Sequence, residues 1–385
     1  AEADVFHTRQ QHTLKVAQVG RRLAERCMTE TPKEARALGL NPEVVEAACL
    51  AHDLGHPPFG HIGEKILHSK VLEHNDHDGY EGNAQSFRIL TKLAVRFSDP
   101  GLDLTRATLA AVLKYPWLRD PNAPGRSKKW SAYRTEREDF EFAREMFKHT
   151  AKTAEAELMD YADDIAYSVH DLEDFHRCNA IPWTLIFSNQ GREKLAEGAD
   201  ARWWDKPYNS KARLRNAVRR LDELLFEAFG DLLREPYEGS RQHRKQLRTM
   251  TSALIGRYIH AVTLKPAAEI GEDGTCVSFE ASAVDEIKIL KQITHDYIIN
   301  SPTLAAQQRG QERIVSQLFD DLCDDSHKEF PRYLPRRLAY LWNSPTEKAR
   351  FAADCIASLT EAEAIGLHAR LNGLASGSVL DPIVR

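Results

Sequence analysis

The chain has 385 residues, 42% hydrophobic and 28% charged, a composition typical of globular proteins and outside the range of disordered or fibrous chains. Its 57 acidic and 52 basic residues leave a net charge of −5, so there is no overall positive field to attract a nucleic-acid backbone. No apolar run approaches the ~18 residues that cross a bilayer, and the first residues lack the features of a secretory signal. We therefore expect neither membrane insertion nor export. Six scattered cysteines favour reduced thiols and a cytoplasmic location.

The first predicted element is a helix near the start of the chain. In the run HTRQQHTLKVAQVGRRL, His12 shares one helical face with Val16, Val19 and Leu23, so its ring should point inward. Taken alone, a histidine in such a position is more often part of a core than a ligand.

A second helix is predicted over residues 41–55, with Asn41 as its N-cap and a proline at the first helical position. His52 continues the apolar stripe of this helix, and Asp53 lies beside it. By itself this pair is best explained as a hydrogen-bonded core pair, because buried charges must be paired or bind a metal.

The residues that follow favour a metal. In AHDLGHPPFGHIGE, His56 and His61 come four and nine residues after His52, and two prolines prevent one continuous helix. Imidazole and carboxylate together suit Mn²⁺ or Mg²⁺, with Fe²⁺, Zn²⁺ or Co²⁺ as alternatives, while the absence of nearby cysteines argues against a structural zinc site. Glu64 follows His61 by one helical turn, close enough to orient its ring. The pattern is typical of a catalytic site.

Two further segments stand out later in the chain. Residues 116–137 combine prolines, glycine and basic residues without a helical stripe, which predicts a long functional loop. In LMDYADDIAYSVHDLED, Asp163, Tyr167 and Asp171 recur every four residues, opposite the apolar stripe. Such a face is usually solvated surface, and spacing alone does not choose between Asp163 and Asp164 as a ligand.

Helical spacing dominates the rest of the chain as well. The clearest strand is TCVSFE, in a break between residues 264 and 280. We predict a mostly α-helical protein in which residues 1–180 form a core and residues 181–385 form a helical C-terminal region packed on it.

An ordered set of motifs in this chain resembles the HD-domain deoxynucleoside triphosphate triphosphohydrolases, the bacterial dGTPase and dNTPase family. The motifs are Arg9-x-x-His12, His52-Asp53, GHPPFGHIGE and ADDIAYSVHDLED. One departure is that Gln10-Gln11 replaces the family's Leu-Thr, which changes the pocket wall but removes no ligand. The resemblance implies an HD-domain helical fold.

The resemblance also implies a role for each matching residue. One divalent metal would have four protein ligands, namely His12, His52, Asp53 and Asp163, which resolves the choice against Asp164. The catalytic histidine and its acidic partner would be His61 and Glu64. Arg9 and His56 would bind the α-phosphate, Tyr167 would lie against the sugar, and Asp171 would bind the 3′-hydroxyl. Beside the resemblance, Lys114, Tyr115 and Lys129 are expected at the β- and γ-phosphates, because a triphosphate carries about four charges and one metal cannot offset them all; the alternative is that these loop lysines are simply solvated.

The implied activity is metal-dependent hydrolysis of dGTP or several dNTPs to deoxynucleoside and inorganic triphosphate. Family members assemble into hexamers or tetramers and several respond to nucleotide effectors, so we expect a homo-oligomer, a nucleotide effector and weak binding of single-stranded nucleic acid. One alternative is another HD phosphohydrolase acting on a nucleoside monophosphate, a cyclic nucleotide or an alarmone, which should not need Tyr167 and Asp171. The other is a nucleotide-sensing or single-strand-binding protein with a degenerate site, which the complete ligand set and the negative charge disfavour.

Overall fold

The computed structural model is mostly α-helical, as predicted. Contacts divide the chain into two compact units, the first made of residues 1–50 and 151–304 and the second of residues 51–150 and 305–385. Residue 180 is a limit of neither unit, and the division into a core and a C-terminal region there stays a prediction. The structure describes residues 8–74, 76–96, 101–147, 150–203, 210–271, 274–299, 302–324, 331, 333–334, 336, 339–342 and 348–374.

Helices account for nearly all of the regular structure in these described residues, and every one of them is too short or too polar to cross a bilayer. In chain order the elements are α1 (Arg9–Glu30), α2 (Pro32–Leu38), α3 (Pro42–Ala51), α4 (His61–Glu73), α5 (Gly82–Arg88), α6 (Arg106–Val112), α7 (Arg137–Arg144), α8 (Ala154–Arg177), α9 (Trp183–Ile186), α10 (Asn189–Trp203), α11 (Ser210–Arg234), α12 (Arg241–His260), β1 (Val262–Leu264), β2 (Val277–Phe279), α13 (Ala281–Thr294), α14 (Pro302–Cys323), α15 (Ala339–Trp342), α16 (Lys348–Ala357) and α17 (Glu361–Leu371).

In the first unit, α1 has a well-defined start and a close packing face. Thr8 and Gln11 form a capping box, in which the Thr8 side chain accepts from the Gln11 N–H at 3.2 Å and the Gln11 side chain accepts from the Thr8 N–H at 2.9 Å. Farther along, a Cβ at Gly20 would lie 2.4 Å from Cys49 Sγ, so only glycine permits this approach of α1 to α3. The predicted burial of Val19 and Leu23 is confirmed.

In the second unit, α4 packs against helices from the far end of the sequence. Leu67 and Val71 on α4 are fully buried in an apolar cluster with Phe319 on α14 and Ile356 on α16. Helices α14 and α16 therefore help to complete the core of this unit.

The predicted second helix begins as expected but ends early. Asn41 caps it, because its Oδ1 accepts from the N–H groups of Glu43 at 2.8 Å and Val44 at 3.3 Å. The predicted end near residue 55 is wrong, since α3 ends at Ala51 and the chain continues through turns. These turns contact α5 closely: a Cβ at Gly55 would lie 2.2 Å from a main-chain oxygen and a main-chain nitrogen of that segment.

The predicted strand in TCVSFE is confirmed. Its central residues form β2, which pairs antiparallel with β1 in a two-stranded sheet. The long loop predicted over 116–137 has no helix before the single 3₁₀ turn at Arg134–Glu136.

Candidate active site

The first group of candidate residues joins α1 and α8 within the first unit. His12 Nε2 lies 3.2 Å from Asp163 Oδ1, and a Cβ at Gly20, two turns farther along α1, would come within 3.5 Å of α8. The neighbouring Asp164 forms an ion pair with Lys291 of α13 instead. Asp163 therefore contacts His12, whereas Asp164 contacts Lys291.

Tyr167 and Asp171 follow Asp163 by one and two turns of α8. Burial raises the pKa of Asp171 to about 7, an effect that the His12 charge opposes and the charges of Asp174 and Asp163 reinforce. At neutral pH this carboxyl can therefore donate or accept a hydrogen bond. A hydroxyl group of a ligand is a suitable partner for such a carboxyl.

The second group lies in the turns after α3, within the second unit. His52 is only 4% exposed, and its Nε2 lies 3.6 Å from Asp53 Oδ1, an oxygen that also lies 3.0 Å from His56 Nδ1. Ser86 of α5 donates to the main-chain oxygen of His52 at 3.1 Å. A Cβ at Gly82 would lie 3.2 Å from the His56 ring. Helix α5 therefore supports both histidines at close range.

The loop before His61 has an unusual backbone. Phe59 has a φ of +66°, in the left-handed region that costs a non-glycine residue roughly 1–2 kcal/mol. Its ring is buried in the core of the second unit, and its N–H donates to Glu361 of α17 at 3.3 Å. His61 comes two residues later as the first residue of α4, with a side chain that is 82% exposed and an Nδ1 that lies 3.0 Å from Glu64 Oε2.

Glu64 also contacts Lys129, a residue that was predicted to bind substrate phosphates. Lys129 Nζ lies 2.9 Å from Glu64 Oε1 and 2.8 Å from Glu81 Oε1. Burial alone would raise the pKa of Glu64, but the hydrogen bond with His61 and the charge of Lys129 lower it overall. Burial likewise opposes the charged form of Lys129, yet the two carboxylates raise its pKa. At neutral pH Glu64 is ionised and Lys129 is protonated.

His56, His61 and Glu64 each offer one possible metal-ligand atom, and these atoms lie within 4.8 Å of one another. The Lys129 ammonium group on Glu64 already supplies a positive charge there, which disfavours a second metal ion. The assignment of His61 and Glu64 as an acid–base pair, and of His56 as a phosphate-binding residue, stays a prediction.

The other predicted phosphate-binding residues lie on three segments. Arg9 is the exposed first residue of α1. Lys114 and Tyr115 follow α6 and are partly buried, and the Tyr115 N–H donates to Ser131 Oγ at 2.9 Å. Their contact with a substrate stays a prediction.

Sequence reasoning missed Glu81. This carboxylate caps α5, accepting from the N–H groups of Asn83 at 2.6 Å and Ala84 at 3.1 Å. The available signal was weak: an acidic residue directly before Gly-Asn in EGNAQSFRIL can be a helix cap. Nothing in that run indicates a lysine partner 48 residues farther along the chain.

Comparisons with known proteins identify the family of this chain. Residues 9–168 match the HD domain family, and residues 277–370 match the phosphohydrolase-associated domain. A deoxyguanosinetriphosphate triphosphohydrolase-like protein of Streptomyces coelicolor is 37% identical over 95% of this chain and 84% of that protein. Proteins of the same name from Bifidobacterium longum and Vibrio vulnificus are 35% and 30% identical, over 96% of this chain in each case and 76% and 85% of those proteins. The chain therefore belongs to the HD-domain phosphohydrolases, among the deoxyguanosinetriphosphate triphosphohydrolase-like proteins.

Proposed function

We propose that this phosphohydrolase splits dGTP or several dNTPs into the deoxynucleoside and inorganic triphosphate. The observation that carries the proposal is the row of Asp163, Tyr167 and Asp171 along one face of α8. This row offers a carboxylate for a metal and, one and two turns away, an aromatic ring and a carboxyl group for a sugar. The names of the relatives support the same substrate class.

We propose that His12 and Asp163, together with His52 and Asp53, bind one divalent metal, with Mn²⁺ or Mg²⁺ as the first candidates. Ligand atoms bound at ~2.1 Å lie about 3.0–3.4 Å apart around a metal ion. The His12–Asp163 separation of 3.2 Å fits this range, and the His52–Asp53 separation of 3.6 Å is slightly longer. All four residues also lie within the part of the chain that matches the HD domain. When bound, the metal would neutralise phosphate charge and make a water molecule more acidic.

The chain's own residues would supply proton transfer and binding. A carboxylate can only accept, so in the contact with Glu64 the His61 Nδ1 carries a proton and Nε2 is free to exchange one with substrate or water. Arg9 and His56 would hold the α-phosphate, and Lys114 and Tyr115 would contact the outer phosphates.

Tyr167 and Asp171 would select the sugar. Asp171 would hydrogen-bond to the 3′-hydroxyl, while the Tyr167 ring would occupy the space that a 2′-hydroxyl needs. An unpaired buried hydroxyl or a clash costs ~1–3 kcal/mol, enough for roughly tenfold or greater discrimination. GTP should therefore be a poor substrate beside dGTP, and equal rates on the two would contradict the role of Tyr167. Equal rates on dGTP and its 2′,3′-dideoxy analogue would contradict that of Asp171.

The decisive assay incubates the purified protein with each dNTP and Mn²⁺ and separates triphosphate from pyrophosphate and phosphate. Inorganic triphosphate as the first product supports the proposal, and Asp163→Ala serves as the inactive control. Release of pyrophosphate or phosphate, or turnover only of a monophosphate, cyclic nucleotide or alarmone, would favour another HD phosphohydrolase. The hexamer or tetramer, the nucleotide effector, weak single-strand binding and the cytoplasmic location stay predictions.

A further inference from the structure

Glu64 uses both of its carboxylate oxygens. Oε2 contacts His61 Nδ1 at 3.0 Å, while Oε1 accepts from Lys129 at 2.9 Å and from the Gly82 N–H at 3.3 Å. These contacts fix the side of the carboxylate that faces His61. The tautomer of His61 therefore depends on Glu64 keeping this orientation.

Glu81 holds Lys129 from the other side. Its side chain is 1% exposed and accepts from four N–H donors: Lys129 Nζ at 2.8 Å, Asn83 Nδ2 at 2.9 Å, and the main-chain N–H groups of Asn83 and Ala84. Burial raises the pKa of Glu81, but the four donors occupy both of its oxygens, and this geometry favours the ionised form. A buried carboxylate is stable only when it is paired in this way.

The main chain of Glu81 is supported in turn by a buried tyrosine. The Tyr133 hydroxyl accepts from the Glu81 N–H and donates to the Glu81 main-chain oxygen, both at 3.2 Å. The Arg350 guanidinium lies 3.8 Å from the centre of the Tyr133 ring and also donates to Asp76 and to the Gly79 main-chain oxygen, each at 2.7 Å. Helix α16 thus contributes to the support of Glu81.

We propose that Glu81 and Lys129 are positioning residues for the His61–Glu64 pair: Glu81 holds Lys129, Lys129 holds Glu64, and Glu64 keeps a proton on His61 Nδ1. Two carboxylates already share the single positive charge of Lys129, so a triphosphate would have to compete with both for it. Positioning therefore replaces phosphate binding as the main role of Lys129. The effect on rate rests on the proposed function, whereas the effect on the His61 tautomer does not.

The kinetic test compares Lys129→Met and Glu81→Gln with Lys128→Met. Lys128 is the matched control, because it is an exposed lysine of the same loop and has no ion pair among the described contacts. Losing a group that orients a catalytic residue typically costs ~10- to 100-fold in activity. We expect both test variants to lose kcat by that factor with KM changed less than about threefold, and Lys129→Arg to recover much of the loss. A raised KM with unchanged kcat in Lys129→Met, together with full activity of Glu81→Gln, would show a phosphate-binding lysine and overturn the proposal.

A second measurement needs no turnover. Nitrogen chemical shifts of ¹⁵N-histidine-labelled protein, recorded at alkaline pH where histidine rings are neutral, report which ring nitrogen carries the proton. The His61 signals are assigned by their loss in His61→Gln. We expect the Nδ1–H tautomer in the unmodified protein and in Lys128→Met, and a mixture of tautomers in Lys129→Met and Glu81→Gln. If His61 keeps the pure Nδ1–H form in both test variants, the proposal is wrong, whether or not the protein hydrolyses a dNTP. If the tautomers mix as expected but no dNTP is hydrolysed, the proposed function fails and the positioning role remains.

Discussion

Two adjacent carboxylates on α8 have different environments, and this difference can be tested residue by residue. Asp163 faces His12, whereas Asp164 pairs with Lys291. Asp163→Ala should lose bound metal and turnover together, because removing one of four ligands leaves a site too weak to position water and phosphate. Asp164→Ala is the matched control and should keep both. Metal content and rate are measured on the same samples, and a metal-free Asp164→Ala beside an active Asp163→Ala would reverse the assignment.

A buried histidine outside the site should make stability depend on pH. His176 is 2% exposed, and its Nδ1 accepts from Trp183 Nε1 at 3.0 Å, so protonation there would break this bond. Burial, reinforced by the charge of His243, lowers the pKa of His176 to about 4 from the ordinary 6.5. Between these values the unfolded chain binds a proton that the folded chain does not, so the free energy of unfolding decreases as pH falls from 6.5 toward 4.

A pKa of His176 lowered from 6.5 to about 4 corresponds to a decrease of the unfolding free energy by roughly 3–4 kcal/mol at most. His176→Gln keeps an acceptor for Trp183 but does not titrate, so its unfolding free energy should decrease less over the same range. Carboxyl titrations are common to both proteins and cancel in the difference. Denaturant unfolding at several pH values measures the unfolding free energy of both proteins. If the two free energies change in parallel with pH, the prediction is wrong.

At the scale of single elements, the loop that leads into α4 combines strain with burial at Phe59. Phe59→Ala should destabilise the protein by ~3–5 kcal/mol through loss of the buried ring. Because the residue has a φ of +66°, Phe59→Gly should be more stable than Phe59→Ala by about 1 kcal/mol. This order is the reverse of the usual one in helices, where glycine is less stable than alanine by about the same amount.

Lys65, an exposed residue inside α4, provides the control pair. There Lys65→Ala should be more stable than Lys65→Gly. Chemical denaturation of the four variants gives both comparisons. The same order at both positions would mean that the positive φ of Phe59 carries no energetic cost.

The elements also show what could be predicted from the sequence. Helices α1 and α8 follow a regular apolar period, and this period predicted the inward face of His12. Spacing alone did not distinguish Asp163 from Asp164, because the face of α8 that carries them lies opposite the apolar stripe. The end of α3 was misplaced because the turns that follow it depend on contacts with α5, which local periodicity does not contain. The ion pair between Glu81 and Lys129 was not predicted from the sequence, because it joins a helix cap to a loop residue and the two positions have no periodic relation.

At the scale of the whole molecule, each compact unit is assembled from two stretches that are distant in sequence. In the second unit, the two stretches are joined by buried charged groups in addition to apolar side chains. Arg88 of α5 donates to Asp354 of α16 through Nη2 at 2.8 Å and through Nε at 3.1 Å, and to Glu136 at 2.6 Å. Gln85 donates to the same aspartate at 2.8 Å. Charged groups this deeply buried are stable only while every member is paired.

Asp354→Ala should therefore destabilise the protein strongly, because it leaves the Arg88 guanidinium buried with one carboxylate instead of two. Removing one partner of a buried ion pair typically costs ~3–5 kcal/mol. Asp320→Ala is the matched control, since its pair with Lys70 also joins the two stretches, at 2.8 Å, but the Asp320 side chain is 53% exposed. The unfolding free energy lost in Asp320→Ala should stay below about 1 kcal/mol. Equilibrium unfolding of both variants measures the difference, and equal losses would mean that burial of the Arg88 network adds nothing to the packing of α16 against α5.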